Sequence, residues 1–154
     1  PTSSLDLSVR AGILQLLSEI RRETGVAMLF ISHDLDTIEL MTERLLVMYL
    51  GRIVEQGATS AVFARPAHPY TQMLLSAALP ADPDALLERF VARGERTGRA
   101  DMAPGCPFAT RCQLAIDACD RDFPSMSACG PEHGAACIRV TDGSNRLAHA
   151  INTA

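Results

Sequence analysis

An α/β fold is what this sequence predicts, and three observations predict it. Apolar residues recur at helical spacing over residues 6–25 and 34–45, an unbroken apolar run separates those two stretches, and a pair of strand-like runs follows around Gly51. The 154 residues suffice for one domain with a buried core. A small cysteine-rich C-terminal extension is expected beyond that domain, because Cys106, Cys112, Cys119, Cys129 and Cys137 are the only cysteines and all lie in the last third.

The elements are justified in chain order. In "DLSVRAGILQLLSEIRRETG" the residues Val9, Ile13, Leu16, Leu17 and Ile20 are three or four apart, with Asp6 placed to cap and Gly25 to stop an amphipathic helix. "VAMLFIS" is a continuous apolar run of the kind found in parallel strands covered on both faces. "DLDTIELMTERL" predicts a second helix, with Leu35, Ile38, Met41 and Leu45 on one face and Asp36, Glu39 and Glu43 on the other. "LLVMYLGRIVEQG" predicts a hairpin turning at Gly51 and closing at Gly57. A single parallel strand has no sheet without neighbours, so partners are expected upstream of Pro1.

"TSAVFARPAHPYTQMLLSAALP" predicts two short helices, the second opening with Pro69 in its first turn and ending at Pro80. Residues 81–105 are rich in Pro, Gly and Arg with weak periodicity, and read as a linker. Its arginines alternate with Glu88 and Glu95, which suits a solvated strip better than an anion site. The expected organisation is therefore 1–80, a linker at 81–105, a cysteine-rich segment at 106–140 and a tail at 141–154.

Composition narrows the function. Hydrophobic residues make up 47% and charged residues 21%, the net charge is −4, and every basic residue is Arg. An acidic balance of this kind implies no nucleic-acid partner. No apolar run approaches the roughly 18 residues of a membrane span, and the N-terminal residues carry no secretion-signal pattern. Clustered thiols in the cytosolic compartment this implies are read first as metal ligands.

Three motifs carry chemistry. "SSLD", Ser3 to Asp6, is on local pattern alone a polar turn whose Asp6 caps the following helix. His33 in "ISHD" follows the carboxyl end of the expected strand, where open α/β sheets place ligand-contacting groups; taken alone, such a residue is more often a surface or capping histidine. The thiols, spaced C-x5-C-x6-C-x9-C-x7-C, lack the C-x2-C knuckle of common zinc sites and suit either a four-thiolate site or small apolar residues of a helical domain.

Taken together, "PTSSLDLSVR", "FISHDL", "VMYLGRIVEQG" and "HPYTQMLLSA" resemble the C-terminal part of a P-loop ABC nucleotide-binding domain, specifically the ATP-binding subunits of dipeptide/oligopeptide importers. The resemblance implies that Ser4, Leu5 and Asp6 form the D-loop at the interface of two nucleotide-binding subunits, and that His33 is the switch histidine contacting the γ-phosphate of ATP. ATP with Mg would be held only in the intact dimer. The G-x-x-x-x-G-K-[ST] phosphate loop cannot occur in a chain without Lys, and neither a signature motif nor a catalytic Glu before the D-loop is present, so the chain alone is expected to be inactive as an ATPase.

"PGCPFATRCQLAIDAC" followed by "GPEHGAAC" resembles the C-terminal extension of the same subunits, some of which hold a [4Fe–4S] cluster. The resemblance implies Cys106, Cys112, Cys119 and Cys137 as ligands, with zinc as the alternative, Cys129 as a departure that competes for the fourth position, and His133 outside the ligand set. It further implies a second nucleotide-binding subunit, membrane permease subunits and, indirectly, a solute-binding protein as partners, at the cytoplasmic face of the membrane. The reading from a different class is a stand-alone metal-binding or redox-sensing module on a vestigial α/β scaffold.

Overall fold

The computed structural model describes residues 7–78 and 104–141. The residues expected to form the D-loop, Ser4, Leu5 and Asp6, the expected linker and the expected tail lie outside or almost wholly outside the described residues. The chain divides into two compact units at the Thr42–Glu43 boundary.

The first unit carries helix α1 (Leu7–Thr24) and helix α2 (Leu35–Met41). Helix α1 stops as its spacing predicts: Gly25 adopts a φ of +66° and its N–H donates to the Arg21 carbonyl at 2.9 Å, a close that a β-carbon would strain. Residues 26–32, expected as a parallel strand, form no strand here. A strand is defined by backbone pairing with a neighbouring strand, and among the described residues this run pairs with none; Leu29 and Ile31 are 85% and 89% exposed. Helix α2 ends at Met41, earlier than its pattern predicts, because Thr42 turns extended and Leu45 enters the next strand.

The second unit is built on an antiparallel sheet. Strands β1 (Arg44–Tyr49) and β2 (Arg52–Ala58) form the expected hairpin. Its turn at Leu50 and Gly51 has φ of 47° and 82°, the doubly left-handed conformation that matches strand twist in two-residue hairpins. Helix α3 (Thr59–Ala64) and helix α4 (Pro69–Ala78) follow, and Pro69 opens α4 as predicted.

The cysteine segment does not stand apart. Its strands β3 (Ser127–Gly130) and β4 (His133–Ala135) continue the hairpin's sheet in the order β1-β2-β4-β3, all antiparallel. Helix α5 (Ile138–Thr141) closes the described part. Phe108, from "GCPFATRC", is wholly buried and joins Tyr49 and Val54 in the core, with Tyr49 edge-on at 5.3 Å and Tyr70 at 5.5 Å between ring centroids. Burying such a ring contributes about 2 kcal/mol. Among the described residues, no helix is long and apolar enough to cross a membrane.

Candidate functional site

Two groups of chemistry-bearing residues stand in separate units. In the first, His33 is exposed and immediately precedes the N-cap of α2. That cap is Asp34, whose carboxylate accepts from the Asp36 N–H at 3.2 Å and from the Thr37 hydroxyl at 2.8 Å, and also pairs with the Arg10 guanidinium from α1. Arg10 donates to Thr37 as well, and Thr37 is buried. The backbone beside His33 is thus pinned by a helix cap and a cation, while the imidazole stays open to solvent. The sequence singled out His33 as a candidate but not Arg10 or Thr37, for which the D-x-x-T spacing at the helix start is a signal.

In the second unit, Cys106, Cys112, Cys119 and Cys137 are electrostatic neighbours. Cys106 feels Cys119, Cys112 feels Cys106 and Cys119, and Cys137 feels Cys106 and Cys112. Cys129 is exposed, and its charged neighbours are Glu55 and Arg65 rather than another thiol. Cys129 thus differs from the other four in exposure and in the charges it feels. All five are free thiols.

Three of the four share one local geometry. The carbonyls of Cys106, Cys112 and Cys137 accept the N–H three residues on, from Ala109 at 3.0 Å, Ala115 at 3.4 Å and Val140 at 3.2 Å. Each turn then aims backbone amides at its own sulfur: Phe108 and Ala109 toward Cys106, Leu114 toward Cys112, Arg139 and Val140 toward Cys137. Burial outweighs those amides for the free thiols, pushing Cys106 up, Cys112 to about 11 and Cys137 to about 12. Cys119 is held differently, in a 3₁₀ turn spanning Asp117–Asp120, and its carbonyl accepts the Cys106 N–H at 2.7 Å.

Among the described residues, no three His, Cys, Asp or Glu side chains converge closely enough to hold a single metal ion. The expected zinc or iron–sulfur ligation therefore gains no support from the side-chain positions: the four thiols are neighbours without meeting at a point.

Residues 54–119 match the family model described as "Oligopeptide/dipeptide transporter, C-terminal region". That span takes in the His68-Pro69-Tyr70 turn and three of the cysteines. A putative peptide import ATP-binding protein of Brucella ovis is 46% identical over 139 residues, covering 90% of this chain and 44% of that protein. Over these spans the chain is similar to the ATP-binding subunits of peptide importers. It corresponds to the C-terminal part of a dipeptide/oligopeptide ABC ATP-binding subunit, and its mixed α/β architecture with a small antiparallel sheet is consistent with a partial ABC ATPase domain.

Further relatives agree. The dipeptide transport ATP-binding protein DppF of Escherichia coli is 40% identical over 145 residues, 94% of this chain and 43% of that protein. A probable peptide ABC transporter ATP-binding protein of Sinorhizobium fredii is 43% identical over 135 residues, 88% of this chain and 38% of that protein. The chain spans less than half the length of these curated relatives. The reading as a stand-alone metal-binding module finds no support, since the matches are ATP-binding subunits whose likeness runs through both the ISHDL region and the cysteine segment.

Glu55 and Phe108 also escaped the sequence reading. Glu55 is the acidic residue of strand β2, yet like its neighbour Val54 it is wholly buried. No local signal marks it, because its partners come from distant parts of the chain.

Proposed function

We propose that this chain acts as the C-terminal part of an ATP-binding subunit powering ABC import of peptides or related small solutes. The observation that carries the proposal is the 46% identity, over 90% of the chain, to a peptide import ATP-binding protein. Residues 1–80 would complete the nucleotide-binding domain, 81–105 would link it to the cysteine segment at 106–140, and 141–154 would be a tail. Ser4, Leu5 and Asp6 would form the D-loop against a second nucleotide-binding subunit, with ATP and Mg held between the two. Permease subunits would carry the solute delivered by a binding protein, and the assembly would place this chain on the cytoplasmic face of the membrane.

His33 is the catalytic residue in this reading. An exposed imidazole beside an anchored helix cap can donate to a γ-phosphate oxygen or orient the attacking water when the nucleotide arrives. The Arg10–Asp34–Thr37 contacts favour this role, since they hold the backbone next to the ring without occupying the ring itself.

For the thiols, the donor chemistry fits a thiolate-bound cluster better than a lone ion. Amides aimed at three sulfurs offset part of the burial that raises the free thiols, and a [4Fe–4S] cluster spreads its irons so that four sulfurs need not converge on one point. Cys106, Cys112, Cys119 and Cys137 would hold it, and its chemistry would be metal-coupled bracing of the segment or a one-electron redox change.

The test uses the complete subunit assembled with its permease. His33→Ala is expected to lower ATP hydrolysis by about 100-fold or more while ATP affinity stays within about threefold. Equal loss of ATP binding, or unchanged hydrolysis, overturns the assignment.

A further inference from the structure

Glu55 is 0% exposed and holds together three parts of the second unit. From strand β2, its Oε1 accepts the Ala67 N–H at 2.7 Å and its Oε2 accepts the His68 N–H at 2.8 Å, just ahead of the first turn of α4. The same Oε1 meets His133 Nε2 at 2.7 Å, and since a carboxylate only accepts, Nε2 carries the proton and donates. His133 lies in β4, the strand that leads into Cys137.

The path from His133 to Cys137 has little freedom. Gly134, Ala135 and Ala136 are all buried, Ala135 pairs with Glu55 in the sheet register, and the Ala136 N–H donates to the Val54 carbonyl at 2.8 Å. Gly57 makes room for the imidazole, because a β-carbon there would come within 3.2 Å of His133 Cδ2 and of the Glu132 carbonyl. On the other side, His68 passes the restraint into α4: its Nδ1 accepts the Tyr70 N–H at 3.0 Å and its carbonyl accepts from the Gln72 N–H at 3.1 Å.

We propose that Glu55 is a latch that makes the Cys137-bearing ribbon and the start of α4 open and close as one unit, so that the state of the thiols is communicated to α4. A buried carboxylate that loses one of three donors is left poorly paired in an apolar surrounding, and its two remaining amide contacts loosen with it. The latch itself stands on the described residues; its link to a bound metal rests on the four-thiolate reading given above.

Hydrogen exchange at the Ala67 and His68 amides, together with the alkylation rate of Cys137, tests this in the complete subunit. His133→Ala touches neither amide, yet is expected to speed exchange at both by about tenfold or more, in step with faster Cys137 alkylation. His133→Gln keeps a donor and is expected to restore at least half of the protection. Faster alkylation with Ala67 and His68 exchange within twofold of wild type overturns the latch, as does an equal effect of Gln and Ala. A second arm compares protein reconstituted with ferrous iron and sulfide against chelator-stripped protein. Slower His68 exchange on loading supports the link to the thiols, and iron bound with exchange unchanged overturns that link. Failure to bind iron overturns the four-thiolate reading while the His133 variants still decide the latch.

Discussion

The backbone N–H of Cys106 donates to the carbonyl of Cys119 at 2.7 Å, which brings together two cysteines from opposite ends of the "GCPFATRCQLAIDAC" loop. The approach depends on the residue just before. A β-carbon on Gly105 would stand 2.1 Å from the Cys119 carbonyl oxygen and 2.6 Å from the Asp120 carbonyl carbon, both rigid backbone atoms.

Gly105→Ala is therefore expected to push the two cysteines apart. Backbone overlap of this kind should cost about 3 kcal/mol. The denaturant midpoint measures that loss, and thiol alkylation should show Cys106 and Cys119 exposed before the rest of the unit unfolds. An unchanged midpoint would mean that the loop accommodates the methyl by moving, and that the contact is not a constraint.

The exposure of Cys129, which sets it apart from the other thiols, gives a composition test. After anaerobic purification, Cys129→Ser is expected to keep the iron and sulfide content of wild type, whereas Cys112→Ser is expected to lose most of it. The reverse order would make Cys129 a ligand and displace one of the four. Zinc measured in the same samples distinguishes the alternative metal.

His68 makes stability depend on pH in one direction. Burial lowers its pKa from 6.5 to about 4, with Glu55 opposing only in part. Protonation would also cost the Tyr70 N–H its acceptor on Nδ1. Because the folded pKa lies below the unfolded one, the stabilisation is complete above pH 6.5 and is lost as pH falls from there toward 4. The loss is on the order of 3 kcal/mol at full extent. His68→Asn keeps a capping acceptor and does not titrate, so urea midpoints at pH 7.5 and 4.5 should differ less for the variant than for wild type. Equal differences would remove His68 as the cause.

How far the sequence could be read depends on how local each signal was. Helix α1 and its Gly25 stop, the β1–β2 hairpin around Gly51 and the Pro69 start of α4 all follow from spacing or from backbone preference within a few residues. The boundary of α2 was misread because Leu45 suits both a helical face and the alternation of β1, and pairing with Gly57 decided for the strand. The run at 26–32 carried a strand composition, but strand formation needs a hydrogen-bonded neighbour that composition does not supply.

By itself the sequence determined the family resemblance, the candidate His33 and thiol residues, and the order of helices and hairpin, because those rest on residue identity and short-range periodicity. Only the tertiary structure decided that β3 and β4 of the cysteine segment join the hairpin's sheet, that Phe108 fills its core, and that Cys129 alone among the thiols is exposed. It alone placed Glu55 among Ala67, His68 and His133. The physical reason is common to all of these. Each is a contact between residues far apart in the chain, whose free energy comes from desolvation and close packing against a particular neighbour, and no pattern within one segment encodes which neighbour that will be.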